Sequence, residues 1–216
     1  FGQNRLTRGG LIVVSTLEFT LQKQLECATL VQMLRMGGDT TAGYESARVD
    51  CPTALLLPTQ VLESVDIAKL ASGGVIMDPG LGQVLAYQSP TFSDGQSAEN
   101  ASLEPGSLLS PFAALAGFAR GLSPASLKWD VPMDQTGAAV EVQNPDQNYH
   151  GPVSLRTALA NDYLIPIVEV ERQVGATNAW NLAELLGWNS MNRTEESDQP
   201  LFSGAQTNFL DAAAAY

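Results

Sequence analysis

The sequence predicts a mixed fold of the α/β class, of the α+β type, in which one β-hairpin precedes a mostly helical region. Residues 73–88 consist of two short apolar stretches around residues 78–80 (Asp-Pro-Gly), which favour a tight turn and so predict a hairpin. The run over 108–119 is apolar on every side, which is typical of a helix buried in the middle of a domain. Helical spacing then dominates residues 154–187.

The composition is that of a globular protein and excludes several kinds of partner. The chain has 216 residues, 44% of them hydrophobic and 16% charged, enough for one sizeable core or for one domain with an appendage. A formal net charge of −12 leaves no basic patch for nucleic acid or an anionic membrane surface. No apolar run approaches the roughly 18–20 residues of a membrane span. Because Phe1 stands in place of an initiator methionine, we expect a processed, excised or partly observed product.

The chain contains two cysteines, Cys27 and Cys51, and one histidine. These are too few for a disulfide scaffold or a zinc site, and we predict no metal and no cofactor. Two alternatives remain open for the cysteines. In an exported protein they would pair, which closes a loop of about 25 residues and stabilises the fold by roughly 3–4 kcal/mol. Otherwise they are two separate buried thiols.

The first elements in chain order are a strand and a helix. Residues 9–17 (Gly-Gly-Leu-Ile-Val-Val-Ser-Thr-Leu) are rich in β-branched side chains and begin at glycines, which predicts a strand. Apolar residues then recur at helical spacing over 17–34, and residues 37–38 (Gly-Gly) predict the end of that helix. The hairpin follows.

The second half of the chain is predicted to be helical around one long connection. Pro105 and Gly106 break the chain before Ser107, so a helix begins there, and Pro111 falls where its missing N–H does little harm. Residues 128–152 predict a long polar connection. The helices predicted after it begin at Ser154 and cover 166–174 and 178–187, the last of them closed by Gly187.

Ser107 is the candidate nucleophile because of its place in this pattern. At the N-terminus of a buried helix, free backbone N–H groups and the helix dipole favour developing negative charge. The alternative is that Ser107 only caps the helix.

Four stretches in order resemble one known family. They are residues 9–22, the hairpin 73–88, residues 105–112 (Pro-Gly-Ser-Leu-Leu-Ser-Pro-Phe) and residues 149–160 (Tyr-His-Gly-Pro-Val-Ser-Leu-Arg-Thr-Ala-Leu-Ala). The chain resembles the transpeptidase domain of class A (bifunctional) penicillin-binding proteins, degenerate and incomplete at its C-terminal end. The resemblance implies the fold shared by penicillin-binding proteins and serine β-lactamases, with the C-terminal sheet strands absent.

This resemblance also suggests a division of the chain. Residues 1–18 are expected to form a linker and leading strand, and residues 19–216 a partial transpeptidase-like domain. Residues 200–216 resemble the family segment that ends in a helix of alanines and leucines.

The positions of the family's catalytic motifs are largely changed. Penicillin-binding proteins combine Ser-x-x-Lys, Ser-x-Asn and Lys-Thr-Gly. The resemblance places Ser107 at the nucleophile position, but Ser110 replaces the motif lysine, and Asp162 and Leu164 replace the Ser-x-Asn pair. The Lys-Thr-Gly strand would lie beyond Tyr216. Because a serine hydroxyl is a poor nucleophile without an adjacent base, we predict that Ser107 is vestigial.

We therefore predict a non-catalytic transpeptidase-like module with a binding or structural role in an extracytoplasmic assembly, a location implied by the resemblance. The alternative is a weakly active serine D,D-transpeptidase that acts on peptidoglycan stem peptides or β-lactams through a Ser107 acyl-enzyme, with Lys128 or Asp162 as base. His150 has no Cys or Asp pattern around it and predicts a structural loop. Because the hairpin alone leaves an open sheet edge, we expect a partner chain or the missing C-terminal segment to complete the sheet.

Overall fold

The computed structural model describes residues 10, 12–39, 51–58, 66–98, 105–133, 142–189 and 206–216. The chain divides into two compact units, Phe1–Ala101 and Ser102–Tyr216. The first contains α1 (Phe19–Met36), β1 (Ala71–Asp78) and β2 (Gln83–Phe92). The second contains α2 (Ser110–Phe118), β3 (Leu127–Asp130), β4 (Gly151–Ser154), α3 (Leu155–Ala160), α4 (Leu164–Val174), α5 (Ala176–Leu185) and α6 (Phe209–Ala215). Short 3-10 helices lie at Pro52–Leu55, Ile67–Lys69 and Gly106–Leu109.

The predicted first helix is confirmed as α1. Glu18 caps it, because its carboxylate accepts hydrogen bonds from the backbone N–H of Thr20 (3.1 Å) and of Leu21 (2.6 Å). The helix ends before Gly37, and Gly38 has a φ of 99°, a backbone conformation that favours glycine.

The predicted hairpin is confirmed as the antiparallel pair of β1 and β2. Asp78 closes the turn, since its Oδ1 accepts hydrogen bonds from the N–H of Gly80 (2.7 Å) and of Leu81 (3.1 Å). α1 packs on one face of the hairpin, where a Cβ at Gly74 would lie 2.8 Å from Leu25 Cδ1. Glycine at this position therefore permits the close packing of helix on strand.

The predicted strand over 9–17 is wrong in its described part. Residues 12–17 lie outside any strand, and the side chains of Ile12, Val13 and Val14 are exposed. The edge of β2 away from β1 is bonded instead by α1: Glu18 N–H donates to Leu85 O (2.8 Å), and the Gln22 side chain bonds both N–H and C=O of Tyr87. β-branched composition is therefore not sufficient for a strand, because a strand also needs hydrogen bonds to a neighbouring strand.

Cys27 and Cys51 are joined by a disulfide, with their Cα atoms 6.1 Å apart, which decides between the two alternatives that the sequence left open. The bond ties α1 to the 3-10 helix at Pro52–Leu55. Arg35, also on α1, reinforces this connection by donating to Ala54 O (2.9 Å) and Leu57 O (2.9 Å).

The second unit has its core around α2, which confirms the predicted buried helix. Phe112 packs edge-on against Trp188, with ring centroids 5.3 Å apart. A Cβ at Gly117 would lie 3.0 Å from Val170 on α4, so the missing side chain lets the two helices approach. The large side chains buried in this core are Leu109, Phe112, Leu155, Ile167, Val170, Val174 and Trp188.

The predicted polar connection over 128–152 is wrong at both ends. β3 and β4 pair antiparallel there, with Trp129 opposite Pro152. This strand buries Lys128 and Asp130 and exposes Leu127 and Trp129, the reverse of an ordinary amphipathic strand. Its four residues do alternate apolar and polar side chains, but the run is short and its buried face is the polar one, so the sequence analysis did not recognise it as a strand.

The remaining helices are confirmed. Ser154 caps α3 by accepting a hydrogen bond from Thr157 N–H (3.2 Å), and Asn208 caps α6 through Asp211 N–H (2.8 Å). α4 and α5 cover the two predicted helical segments. Residues 200–205 of the C-terminal stretch lie outside the described residues, as does Gly9. In the described ranges, no helix combines the length and the apolar character that crossing a membrane requires.

Candidate active site

Ser107 lies in the first turn of the helical segment that continues into α2. The turn begins as the 3-10 helix Gly106–Leu109, and Gly106 has a φ of 53°, which a side chain would strain. Ser110 N–H donates to Ser107 O, so the 3-10 turn joins α2 without a break. Ser107 is half-buried, and within the described ranges its hydroxyl makes no hydrogen bond.

Ser110, which the resemblance predicts to stand in place of the motif lysine, opens α2 three positions later. It is 4% exposed, and its Oγ is buried without a hydrogen-bond partner among the described residues. A neutral hydroxyl cannot take up the proton of Ser107. Its lack of a partner also means that no neighbouring group activates it.

Tyr216, which follows α6, contacts the Ser107 turn. Its hydroxyl donates to Leu108 O (2.6 Å), and its ring packs edge-on against Phe112 at 5.6 Å. Burial, followed by the Asp162 carboxylate, raises the pKa of Tyr216. The phenol therefore stays protonated at neutral pH, as a donor to the backbone next to Ser107. The sequence analysis missed this role, because Tyr216 was interpreted only as the end of an alanine-rich helix.

Asp162 and Leu164 lie at the junction of α3 and α4. Asp162 has a φ of 57°, which is uncommon for a residue other than glycine and marks a tight turn. Leu164 is the first residue of α4 and packs against an apolar cluster of Val142, Ile165 and Val168. A leucine in this place offers no hydrogen bond to a substrate.

Lys128 is held by α4 rather than by the Ser107 turn. Its ammonium lies 3.1 Å from Glu169 Oε1 and 2.6 Å from Gln173 Oε1. The side chain is largely buried, so this pairing compensates a desolvated charge. An ammonium engaged in this way does not accept a proton from a serine.

The histidine has the aspartate partners that the sequence analysis did not find. His150 Nδ1 lies 2.6 Å from Asp130 Oδ2, and Nε2 lies 3.0 Å from Asp146 Oδ2. The hydrogen bond to Asp130 is the main cause that raises the pKa of His150, and Asp146 adds to it. The ring also stacks on Tyr163, with centroids 3.9 Å apart. Because both nitrogens face carboxylates, the ring offers no free lone pair to a substrate.

The sequence profile of the penicillin binding protein transpeptidase domain matches residues 73–214. The chain belongs to the penicillin-binding protein transpeptidase family. In the described part of the chain, the mixture of helices with two small two-stranded sheets agrees with a partial domain of that family. Of the described residues, no three or more His, Cys, Asp or Glu side chains are grouped so as to hold a metal ion.

Solved structures of penicillin-binding proteins share this fold. The penicillin-binding protein PonA1 from Mycobacterium tuberculosis matches 99% of the chain with a TM-score of 0.66 and 20% identity. PonA1 in complex with penicillin V matches 100% of it with a TM-score of 0.64 and 19% identity. Penicillin-binding protein 1A from Haemophilus influenzae matches 71% of it with a TM-score of 0.54 and 20% identity.

These likenesses concern the fold alone. The chain spans 51–53% of the length of the two PonA1 chains and 24% of the Haemophilus influenzae protein. No curated protein sequence matches the chain. In this penicillin-binding protein fold, Tyr216 contacts the Ser107 turn. Lys128 pairs with Glu169, and Leu164 packs in an apolar cluster, so neither is shown in contact with that turn.

Proposed function

We propose that this chain is a non-catalytic, degenerate transpeptidase-like module with a binding or structural role in an extracytoplasmic assembly. The observation that carries the proposal is the missing base. In the part of the chain that the structure describes, the hydroxyls of Ser107 and Ser110 have no hydrogen-bond partner, and Ser110 stands where the family has its lysine. A general base is worth roughly 10²–10⁴ in rate, so its loss leaves Ser107 close to inert.

The substitute bases do not restore this function. Lys128 is engaged by Glu169 and Gln173. At the position of the second motif, Leu164 is apolar and Asp162 is an anion. A carboxylate there also repels the negative charge that develops when a serine attacks a carbonyl.

The disulfide supports an extracytoplasmic location. Disulfides form and persist in oxidising compartments, and Cys27 and Cys51 are bonded. The family match supports the same location.

The hairpin supports the proposal of a partner for the sheet. In the described residues β1 pairs with β2 alone, whereas the far edge of β2 is bonded by Glu18 and Gln22. We propose that a partner chain or a further segment of a longer protein pairs with β1. Peptidoglycan or a β-lactam remains the proposed ligand class of the module.

Acylation by a reactive penicillin, followed by intact mass spectrometry, tests the missing base. We expect no adduct on the chain and a new adduct on Ser110→Lys, because a lysine there can reach the serine three positions earlier. The adduct should disappear in the double variant Ser107→Ala/Ser110→Lys, the matched control. Thermal unfolding of each variant checks that the buried lysine is accommodated.

An adduct on the unmodified chain that Ser107→Ala removes would overturn the proposal in favour of a weakly active serine transpeptidase. In that case Lys128 or Asp162 would have to act as the base, and Asp162→Asn would test the second of them.

A further inference from the structure

The loop over residues 142–150 is held near both of its ends by one buried carboxylate. Asp130, fully buried on β3, accepts hydrogen bonds from Asn144 Nδ2 (2.9 Å to each oxygen), from His150 N–H (3.1 Å) and from the His150 ring (2.6 Å). Asn144 Oδ1 accepts from Ile165 N–H (3.4 Å) on α4. Because a buried carboxylate is costly to leave without these bonds, they fix the loop against β3 and α4.

The ring of His150 also contacts the middle of this loop. Its Nε2 lies 3.0 Å from Asp146 Oδ2, so that one imidazole stands between two carboxylates. Among the described residues, the charged or titratable groups that face the ring are Asp130 on β3, Asp146 in the loop and the stacked Tyr163 before α4. Both charged neighbours are acidic, so they favour the imidazolium over the neutral ring.

The two carboxylate contacts together require two protons on the ring. An imidazolium donates from both nitrogens, whereas the neutral ring has one N–H and one lone pair. The side chain of Asp130 is 0% exposed and that of Asp146 is 43% exposed, so water can replace the ring only at Asp146. The remaining proton therefore stays on Nδ1, and the lone pair of Nε2 then repels the Asp146 carboxylate.

The turn that carries Asp146 has an uncommon backbone conformation. Gln147 has a φ of 58°, and its N–H donates to Asn144 O (2.9 Å). Asn148 N–H donates to Asp146 Oδ1 (3.1 Å), so the carboxylate that faces His150 also caps this turn. A strained backbone persists only where its surroundings over-determine it. Loss of the contact between His150 and Asp146 removes one of these constraints.

We propose that His150 is a pH-sensitive connection that closes the turn over residues 145–148 onto the second unit. At low pH the imidazolium bonds both carboxylates, and the turn is closed. As pH rises and the ring loses a proton, His150 keeps Asp130 and releases Asp146, so the turn opens to water while Asn144 stays bonded to Asp130. Neither Ser107 nor its missing base takes part in this change.

NMR of the whole chain tests this change directly, because His150 is its single histidine and the imidazole signals need no further assignment. A pH titration of the ¹⁵N-labelled chain reports the protonation of each ring nitrogen. We expect both to be protonated at about pH 6.5, the ordinary pKa of histidine, and Nδ1 alone at higher pH. Through the same titration, the hydrogen-exchange protection of the Gln147 and Asn148 amides should fall on the order of tenfold, the weight of one hydrogen bond to a charged group. The amide of Ile165, which bonds Asn144, should keep its protection.

Asp146→Asn distinguishes a proton-dependent contact from a merely structural one. The amide of this variant accepts a hydrogen bond from an imidazolium and donates one to the lone pair of the neutral ring, so the turn should stay closed at every pH. Asp146→Ala should leave the turn open at every pH. The matched control is Asp94→Asn in the first unit, since Asp94 Oδ1 accepts from Gln96 N–H (2.9 Å) in the same local pattern. This control should respond to pH as the unmodified chain does.

Three results would overturn the proposal. The first is a ring that is already neutral at about pH 6.5, and the second is a neutral ring that carries its proton on Nε2. The third is protection of the Gln147 and Asn148 amides that does not change while the ring titrates. All three are measured on the unmodified chain, so they decide the matter even where a variant fails to fold. None of them depends on whether a penicillin acylates Ser107.

Discussion

Asp130 determines the structure around it, because a fully buried carboxylate must be bonded at nearly every lone pair to be tolerated. Asn144 and His150 supply those bonds from a loop that begins 12 positions along the chain, at Val142. The same carboxylate turns the inner face of β3 polar and leaves Trp129 outside. One residue therefore accounts for both the reversed strand pattern and the rigid loop.

The pH dependence of stability follows from His150. Its pKa is raised in the folded chain by Asp130 and Asp146, so its contribution is fully present below the unfolded value of about 6.5 and is lost as pH rises through the folded pKa. We expect the melting temperature to fall from about pH 6.5 upward. In His150→Gln this part of the dependence should be absent, as differential scanning fluorimetry across pH can measure. Parallel pH profiles for the two proteins would contradict the assignment.

The disulfide is the covalent connection of α1 to the segment around Pro52–Leu55 in the first unit. Cys27 lies within α1, and Cys51 opens the segment that contains the 3-10 helix Pro52–Leu55. Arg35 adds hydrogen bonds to backbone carbonyls of this segment, and Gln24 accepts a hydrogen bond from Thr53 N–H (3.3 Å). The packing of this helix on the hairpin depends on side chains such as Leu25, which the disulfide does not hold.

Removal of the disulfide should destabilise the first unit measurably. For a sequence separation of 24, the chain-entropy model predicts that the double variant Cys27→Ala/Cys51→Ala loses about 3.5 kcal/mol in the free energy of unfolding. Urea unfolding with and without dithiothreitol measures it. The reductant should lower the stability of the unmodified chain and leave the double variant unchanged. Equal stability of the oxidised and reduced chain would contradict this expectation.

The molecule as a whole consists of two units, and the only described sheets are two antiparallel pairs. An isolated two-stranded ribbon is marginal in water, and an unpaired edge is a template for another strand. The hairpin of the first unit gains support from α1 on one face, but this packing does not cover the edge of β1.

We therefore expect the 216-residue chain to associate as its concentration rises, through the edge of β1. Gly74 lies on the face of β1 that α1 covers, since it faces Leu25. Val75 is the next residue, so its side chain projects from the opposite face of the strand. Val75→Lys should reduce the association, because lysine on an edge strand opposes pairing. Size-exclusion chromatography with light scattering measures both. A monodisperse monomer at all concentrations would contradict the proposed pairing.

Local sequence was sufficient for most elements of the fold. Caps and turn residues act within a few positions, which is why Gly37, Asp78 and Ser154 marked their elements correctly. The replacement of the motif residues by Ser110 and Leu164 stays a prediction from the resemblance.

Distant contacts were decided only by the tertiary structure. By itself the sequence determined the family, the hairpin and the buried helix after Ser107. The pairing of the cysteines, the β3–β4 ribbon, the partners of Lys128 and the Tyr216 contact to the Ser107 turn depend on groups far apart in the chain. Buried charges such as Asp130 reverse the hydrophobic pattern from which strands are predicted, and only folding brings together the groups that make this burial possible.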